Sequence, residues 1–315
     1  MTYDLPGGKE VFYLKFLKSF HLYAFFTIVF WSMAYVFTRA LLRHFSVYAL
    51  AYLRFLISAA AMLVLVLTVR LKLPAKRDLP WFFLSGAVGF FVYTIVFNLG
   101  TSMVTAATSS IVIATSPILT ALLASLLFRE RLGRLQWAAA ALEFVGILML
   151  TLGGDSFSLN PGVLWLLLGS LLLSVYNILQ RRLTRSYSPL CCSAYAIFFG
   201  TLLLSVFAPE SFPQLASATA LDWVYLLLLG VLSGSVAHLC WAKAMALAED
   251  TSSVSNYMFL TPLFTALLGI AVVQEIPDLS TLGGGCIVML GMLLFNRGRR
   301  KPQAEPSVSP GETVS

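Results

Sequence analysis

Charged residues are scarce in this 315-residue sequence: Asp, Glu, Lys and Arg make up 11% of it, whereas soluble domains contain roughly 25%. Hydrophobic residues make up 59%, which is more apolar surface than a soluble core of this size could bury. The few cysteines include an adjacent pair, Cys191 and Cys192, and their spacing fits neither a metal site nor a disulfide framework. The sequence therefore excludes an ordinary soluble domain and a disulfide-stabilised secreted one.

Residues for catalysis are missing as well. The sequence has no acidic cluster, no phosphate-binding loop and no His or Cys pair in a catalytic arrangement. The run Gly283-Gly284-Gly285 lies within an apolar segment and is not followed by Lys-Ser or Lys-Thr, so ATP cannot drive this protein directly. We expect no enzyme activity, no cofactor and no metal, and any transport must be secondary.

The basic residues mark membrane topology. A net charge of +7 would suggest a nucleic-acid partner in a soluble protein, but here Lys and Arg lie between apolar runs, so none is expected. With the N-terminus in the cytoplasm, 18 of the 21 Lys and Arg residues fall on the cytoplasmic side, and Arg39 and Arg43 fall outside. The positive-inside rule then predicts a multi-pass protein of the cell (inner or plasma) membrane with both termini in the cytoplasm.

Ten apolar segments have roughly the 17 to 25 residues that a membrane-spanning helix needs. They lack the period-two alternation of barrel strands, so helices in a lipid bilayer are predicted. The segments are 20–38, 49–69, 80–100, 106–128, 135–152, 162–179, 190–208, 222–242, 253–273 and 280–296.

One motif occurs twice, 145 positions apart. Pro117 precedes a Thr-Ala-Leu-Leu run and then Glu130, and Pro262 precedes the same run and then Glu275. Internal repeats in a hydrophobic protein indicate a transporter first. The same register, without a gap, pairs Leu84 with Leu229, Gly89 with Gly234 and Gly146 with Gly291.

Each repeat contains five helices, an odd number, so the second repeat must enter the membrane from the opposite side. The prediction is an all-α integral membrane protein of ten transmembrane helices in two inverted five-helix repeats, with a small-molecule site between them near the midplane. The predicted units are a cytoplasmic arm (1–19), two repeats (20–153 and 160–297) and a disordered tail (298–315). A membrane adaptor without transport activity is the rival class.

Several short motifs in the first half resemble those of one membrane family. They are Phe30-Trp31-Ser32 with Arg39, Ala51-Tyr52-Leu53-Arg54-Phe55, Ser116-Pro117 through Glu130-Arg131-Leu132, and Gln136-Trp137 with Gly146. On these residues the chain resembles the EamA-type ten-helix permeases of the drug/metabolite transporter superfamily. The resemblance implies export of amino acids, amines or other metabolites, and it places the fifth and tenth helices at the periphery or at a homodimer contact. The second repeat departs from the motif at Ile276-Pro277.

The strongest candidates for substrate contact are aromatic and repeat-related. The 145-residue offset pairs His238 with Tyr93, and each is followed on the same helix face by an aromatic residue, Trp241 and Phe97 respectively. These four side chains are predicted to form two facing halves of a cavity wall. Ordinary packing of aromatic residues is the alternative.

Further polar contacts are predicted on the first, sixth and ninth helices. An offset of 142 pairs Tyr35 with Asn177, and both, together with Tyr176, are predicted substrate contacts. Asn256 and Tyr257 make the ninth helix more polar than its counterpart in the first half, which favours recognition by the second repeat. For Asn256 the alternative is a hydrogen bond between helices.

Three arginines are assigned other places. Arg39 and Arg181, also 142 positions apart, are predicted to anchor their helices at opposite membrane interfaces, and Arg54 is placed near the start of the second helix. With no basic residue expected at mid-span, an anionic sugar-phosphate carrier is disfavoured and a zwitterionic or aromatic amphipathic substrate fits best. An exporter of cationic drugs is the main alternative, and it would need a buried carboxylate.

Two titratable residues and two prolines complete the predicted machinery. His238 and Glu143 are the candidates for proton coupling, although Glu143 could instead be a structural residue facing another helix. Pro117 and Pro262 lie in the middle of their spans, where proline removes a backbone hydrogen bond and loosens the helix. Paired gating points are predicted, with static kinks as the alternative.

Overall fold

The computed structural model describes residues 19–69, 73–129, 132–152, 160–248, 254 and 256–298. Over these ranges the chain is helical and contains no β-strand, which confirms the all-α prediction. The predicted cytoplasmic arm and disordered tail lie outside the described residues except for Ser19 and Gly298.

Ten apolar helices follow one another along the described chain. Nine are long and apolar enough to cross a membrane, and the ninth in order is shorter. This arrangement confirms a multi-pass membrane protein. The helices are α1 (Phe20–Leu41), α2 (Val47–Val69), α3 (Lys76–Met103), α4 (Ala106–Phe128), α5 (Arg134–Leu152), α6 (Pro161–Leu183), α7 (Pro189–Ala216), α8 (Ala220–Leu247), α9 (Tyr257–Val273) and α10 (Leu279–Arg297).

Several helices begin at a residue whose side chain caps the first turn. Ser19, Asn160 and Ser188 accept hydrogen bonds from backbone N–H groups of α1, α6 and α7. At the start of α8, Thr219 and Asp222 form a reciprocal capping box. These helix starts are therefore fixed by local sequence.

Helix α7 is longer than the apolar segment that predicted it. It continues through a 3-10 turn at Ser205–Phe207 into a further helical stretch, Ala208–Ala216. The polar side chains of this extension are satisfied, because Glu210 accepts a hydrogen bond from the Ser46 hydroxyl and Gln214 Oε1 accepts one from the Ser46 N–H at 2.7 Å. A helix can thus extend beyond the apolar core when its polar residues find partners.

Besides α7, four helices of the described chain are interrupted, and these four interruptions follow the repeat. Helices α3 and α8 each contain a π-helical stretch, Ala87–Val92 and Leu228–Val236. Helix α4 breaks into two α-helical halves at residues 114–115, and α9 begins as a 3-10 helix, Asn256–Leu260. Irregular backbone is tolerated at membrane depth where neighbouring helices cover it, and it often marks functional sites.

The two repeats exchange one helix each. Helix α1 packs against α8 and α9 of the second repeat, while α6 packs against α3 and α4 of the first. Helices α2 and α7 make the matching contacts with α8 and α3. This reciprocal packing confirms two inverted five-helix repeats, and it places the centre of the bundle at the boundary between them.

Helices α5 and α10 form a close pair in which glycines allow the backbones to meet. A Cβ on Gly146 would lie 2.9 Å from the carbonyl oxygen of Gly284, and a Cβ on Gly291 would lie 3.1 Å from the carbonyl oxygen of Ala139. Small residues at such crossings permit the close approach that drives helix association in lipid.

Candidate functional site

Aromatic side chains of α1 contact both repeats at the centre of the bundle. The ring centroid of Trp31 lies 5.2 Å from that of Trp241 and 5.8 Å from that of His238, both on α8. One turn further along α1, Tyr35 meets Phe97 of α3 edge to face at 5.5 Å. Trp31, Tyr35, His238 and Trp241 remain partly accessible, as residues that line a substrate cavity must be.

Helix α3 supplies the opposite side of this group. Tyr93 stacks on Phe97 at 5.7 Å, and Phe90 lies 6.2 Å from His238 and 5.4 Å from Tyr176 of α6. The structure thus brings the predicted residues Tyr35, Tyr93, Phe97, Tyr176, His238 and Trp241 into one region, together with Trp31 and Phe90.

Gly89 explains how Tyr176 reaches this region. A Cβ on Gly89 would lie 2.7 Å from Cγ of Tyr176, so the ring of Tyr176 packs directly on the backbone of the π-helical stretch. The Tyr176 hydroxyl lies near the side chains of Ser193 and Gln180. Its ring therefore belongs to the aromatic group, while its polar end lies beside other polar side chains.

Arg54 is the residue that sequence reasoning missed. It lies about two turns into α2, and its charge falls within electrostatic range of Tyr35, Tyr93 and His238. Its Nε atom is shielded from solvent and has no hydrogen-bond partner within the described chain. The assumption that no basic residue faces the site at mid-span is therefore wrong. We call Tyr35, Arg54, Tyr93, Phe97, His238 and Trp241 the central cluster.

Two residues that were predicted to contact the substrate instead form hydrogen bonds outside the central cluster. Asn177 donates from Nδ2 to Thr120 Oγ1 at 3.3 Å, which joins α6 to α4. The Tyr257 hydroxyl lies 2.7 Å from Nδ1 of His21, which joins α9 to the start of α1. The side chain of Asn256 lies outside the described part of the structure. Asn177 and Tyr257 are therefore engaged away from the central cluster.

Glu143 lies outside the central cluster, in the crossing between α5 and α10. It is 4% exposed, and a Cβ on Gly291 would lie 3.2 Å from its Cβ. Its repeat-equivalent, Val288, packs in the same way against Gly146. The two positions are thus structurally alike, although one residue is acidic and the other is apolar. Oε1 of Glu143 has no hydrogen-bond partner within the described ranges.

Glu143→Val should therefore stabilise the protein. Removing a buried carboxyl oxygen without a partner should raise the free energy of unfolding by about 1 to 3 kcal/mol. Thermal unfolding of the purified protein in detergent measures this, and the reciprocal change Val288→Glu should destabilise it. If Glu143→Val instead abolished the response of transport to a pH gradient, Glu143 would be a coupling residue.

The two prolines begin new helical segments. Pro117 and Pro262 each occupy the first turn of an α-helix, Ser116–Phe128 and Thr261–Val273, where the missing N–H is not needed. The carbonyl of the residue before each proline is held by the exchanged helix. Ser174 of α6 donates to the Ser116 carbonyl at 2.9 Å, and Ser32 of α1 donates to the Thr261 carbonyl at 3.2 Å. These bonds are equivalent under the repeat, so both interruptions are supported in the same way.

Arg39, predicted to anchor α1 at a membrane interface, forms an ion pair in the last turn of that helix. Its Nε lies 2.7 Å from Oε1 of Glu275, and its Nη1 donates to the carbonyls of Thr101 and Ser102 at 3.2 and 2.6 Å. Oε2 of Glu275 accepts a further bond from the Ala106 N–H at 3.0 Å. This network, the Arg39 latch, joins the end of α1 to the α3–α4 and α9–α10 links. A partner 236 residues away could not be identified from local sequence.

Two shallow apolar grooves lie away from the central cluster. One is lined by Pro161, Leu164, Trp165 and Leu168 of α6, and the other lies between α2 and Phe198 of α7. Their leucines are exposed, Leu164 at 46% and Leu63 at 51%, so these grooves face outward, where lipid would fill them. The residues that line these grooves carry no charge, and each groove has one aromatic side chain, Trp165 or Phe198.

Comparison with known proteins yields one family and several relatives. The model of the EamA-like transporter family matches residues 18–152 and again residues 160–297. An uncharacterized transporter of Bacillus subtilis, YdfC, is 27% identical over 83% of this chain and 86% of its own. A probable terminal-alkyne amino-acid exporter of Streptantibioticus cattleyicolor is 27% identical over 89% and 95%. An S-adenosylmethionine uptake transporter of Rickettsia bellii is 24% identical over 82% and 86%.

A crystal structure of another protein has the same fold. It superposes with a TM-score of 0.63 over 91% of this chain and 99% of the other, at 19% sequence identity. At that identity the likeness concerns the arrangement of helices alone.

Proposed function

Because the chain belongs to the EamA-like transporter family, we propose that it is a secondary transporter that exports small amphipathic metabolites such as amino acids or amines. Relatives named as transporters support the general activity, and one is named as an amino-acid exporter. Another is named for uptake, so direction must be established for this chain by experiment.

The central cluster is the observation on which the proposal rests. Tyr35, Arg54, Tyr93 and Phe97 come from the first repeat, whereas His238 and Trp241 come from the second. A site shared by two inverted repeats can be opened to either side by a relative movement of the repeats. Alternating access needs a site in this position.

The interrupted helices give such movement a physical basis. The breaks before Pro117 and Pro262 and the π-helical stretches of α3 and α8 occur in repeat-related pairs beside the central cluster. Backbone that lacks regular helical hydrogen bonds bends at lower cost than a continuous helix. We therefore assign the gating role to these paired interruptions. The proposal also places the protein in the cell membrane with both termini in the cytoplasm.

Coupling to protons would involve His238, the titratable imidazole of the central cluster. The groups that face it are Trp31 of α1, Phe90 of α3 and the charge of Arg54 on α2. Glu143, the second coupling candidate, packs in the α5–α10 crossing instead. We also propose that the protein forms a homodimer through the outer faces of α5 and α10.

The two rival functions fit the site less well. A cationic-drug exporter would need a carboxylate in the central cluster, and the charge found there is that of Arg54. A membrane adaptor without transport activity would have no use for a partly accessible site made from both repeats.

His238→Ala and Tyr93→Ala should each reduce transport by about tenfold or more, because either change removes a wall of the central cluster. The measurement is uptake of labelled amino acids and amines into proteoliposomes, as a panel, with and without an imposed pH gradient. Trp223→Ala is the matched control, because Trp223 is an aromatic residue of α8 that is 41% exposed and lies outside the central cluster. Normal flux in both site variants would remove the proposed site, and a lack of flux from folded wild-type protein would favour the adaptor.

A further inference from the structure

We propose that Arg54 binds the carboxylate of the transported substrate, which makes the substrate an amino acid or a related organic acid with an apolar side chain rather than an amine. The proposal rests on the transport function above and narrows its substrate class.

The backbone around Arg54 is held firmly between helices. Its carbonyl accepts a hydrogen bond from Ser58 Oγ at 2.9 Å, and a Cβ on Gly230 of α8 would lie 3.1 Å from the same oxygen. Ser58 Oγ also donates to the Gly230 carbonyl at 2.9 Å. Helices α2 and α8 are thus in close backbone contact here, so the Arg54 side chain starts from a fixed position between the two repeats.

Among the residues that the structure describes, no anionic side chain neutralises the Arg54 charge. Ion pairs in the described ranges join Arg39 with Glu275, His44 with Asp222 and Arg77 with Asp78, and Arg54 takes part in none of them. Its Nε has no hydrogen-bond partner there, and its Cζ lies 5.1 Å from the ring centroid of its neighbour Phe55. A cation inside a membrane protein is costly unless it is paired, so an unpaired one is expected where a ligand supplies the anion.

Arginine suits a carboxylate in particular. The guanidinium presents a planar fork of N–H donors that matches the two oxygens of a carboxylate, and it gives up its hydration more readily than an ammonium group. An ammonium or other cation at the same place would be repelled. The sign of the charge at the site therefore selects acids and zwitterions against simple amines.

The remaining residues of the central cluster fit the rest of such a substrate. The rings of Phe97 and Trp241, with Trp31 beside them, offer apolar and stacking surface for a hydrophobic side chain. The hydroxyls of Tyr35 and Tyr93 and an unprotonated nitrogen of the His238 imidazole can accept hydrogen bonds from an α-ammonium group, and all three side chains lie near Arg54. A zwitterion with an apolar side chain matches every part of this arrangement.

The test compares each acid with its decarboxylated partner. Purified full-length protein is heated in detergent with L-phenylalanine, L-tryptophan or L-leucine, and separately with phenethylamine, tryptamine or isoamylamine, and the ligand concentration dependence of the unfolding temperature gives binding. Arg54→Gln and Arg54→Lys are measured beside Arg43→Gln, a surface arginine of the α1–α2 turn.

We expect the wild-type protein and Arg43→Gln to bind at least one acid more tightly than its amine. Arg54→Gln should weaken acid binding by about tenfold or more and leave amine binding unchanged or improved, and Arg54→Lys should retain part of the acid affinity. A merely structural role for Arg54 would weaken both ligand classes equally.

Three results would overturn the proposal: amines bound as well as acids by the wild-type protein, equal acid binding by Arg54→Gln, or no acid bound at all. Proteoliposome flux is scored separately. Arg54-dependent binding without flux would count against the transport function alone, whereas amine flux with no acid binding would keep the transport function and reject the carboxylate site.

Discussion

Arg39→Glu should lower the transport rate by about tenfold or more, because it places two carboxylates together and removes the donor from the Thr101 and Ser102 carbonyls. The Arg39 latch is largely enclosed, with 27% and 15% of the Arg39 and Glu275 side chains exposed, so solvent screens the repulsion only in part. The latch joins three segments at one end of the bundle, the end predicted to be extracellular. Without it, that end should fail to close, and the transport cycle should stop there.

A charge exchange separates the ion pair from its surroundings. Glu275→Arg alone should be as damaging as Arg39→Glu, and the double variant should recover part of the activity because the opposite charges meet again. Proteoliposome uptake measures all three, and Arg43→Glu in the neighbouring turn is the control for added negative charge. Wild-type uptake by either single variant would show that the latch has no part in the cycle.

Gly86→Ala should destabilise the protein by roughly 1 to 3 kcal/mol, because it forces α3 away from α7. The new Cβ would lie 2.7 Å from the Ala196 carbonyl oxygen and 2.9 Å from the Gly200 nitrogen. Both are backbone atoms, so no side chain can turn aside to make room. Thermal unfolding in detergent, with yield of folded protein as a second measure, reports the effect.

Gly269→Ala is the matched control for this change. Gly269 also lies in a membrane helix, but a Cβ there would meet no atom within 4 Å. Alanine should be tolerated or slightly stabilising at that position, because it favours a helix by up to about 1 kcal/mol over glycine. Equal stability of the two variants would mean that α3 and α7 can separate without cost.

The repeat was the most informative part of the sequence. The 145-residue offset paired Tyr93 with His238, and both lie in the central cluster. Ser32 and Ser174 are also 142 positions apart, and they make equivalent hydrogen bonds to the interrupted helices. Symmetry of this kind is preserved in three dimensions because both halves fold into the same arrangement. The helices and the paired breaks beside Pro117 and Pro262 could therefore be predicted, whereas the π-helical stretches of α3 and α8 were not.

Arg54 and Arg39 show what local sequence could not predict. An arginine near a helix end is usually free to extend to the membrane surface, so local sequence assigns it to the interface. In the structure each arginine is instead enclosed by helices distant in sequence, α8 for Arg54 and the α9–α10 link for Arg39. Only the packing of the helices against one another determines which arginines are enclosed.

Asn177 and Tyr257 show the same limit for neutral polar residues. Both were predicted to contact substrate because polar groups are rare in apolar segments, yet both make hydrogen bonds between helices. A helix segment that is apolar all round gives no sign of which side faces the cavity. Packing against neighbouring helices determines how such a helix is rotated about its axis. A polar residue on it can therefore either contact the substrate or form a hydrogen bond to another helix.

The exchange of α1 also has a consequence for how the protein is made. Helix α1 is the first of the ten to be synthesised, but its partners α8 and α9 begin at Ala220 and later. At about 5 to 20 residues per second, they follow roughly 10 to 40 s afterwards. During that interval Ser32 of α1 sits in the bilayer without the carbonyl that it finally bonds. Helix α1 thus obtains its packing partners only when α8 and α9 have been synthesised. A chain that stopped before α9 would leave α1 as an unassembled helix open to degradation.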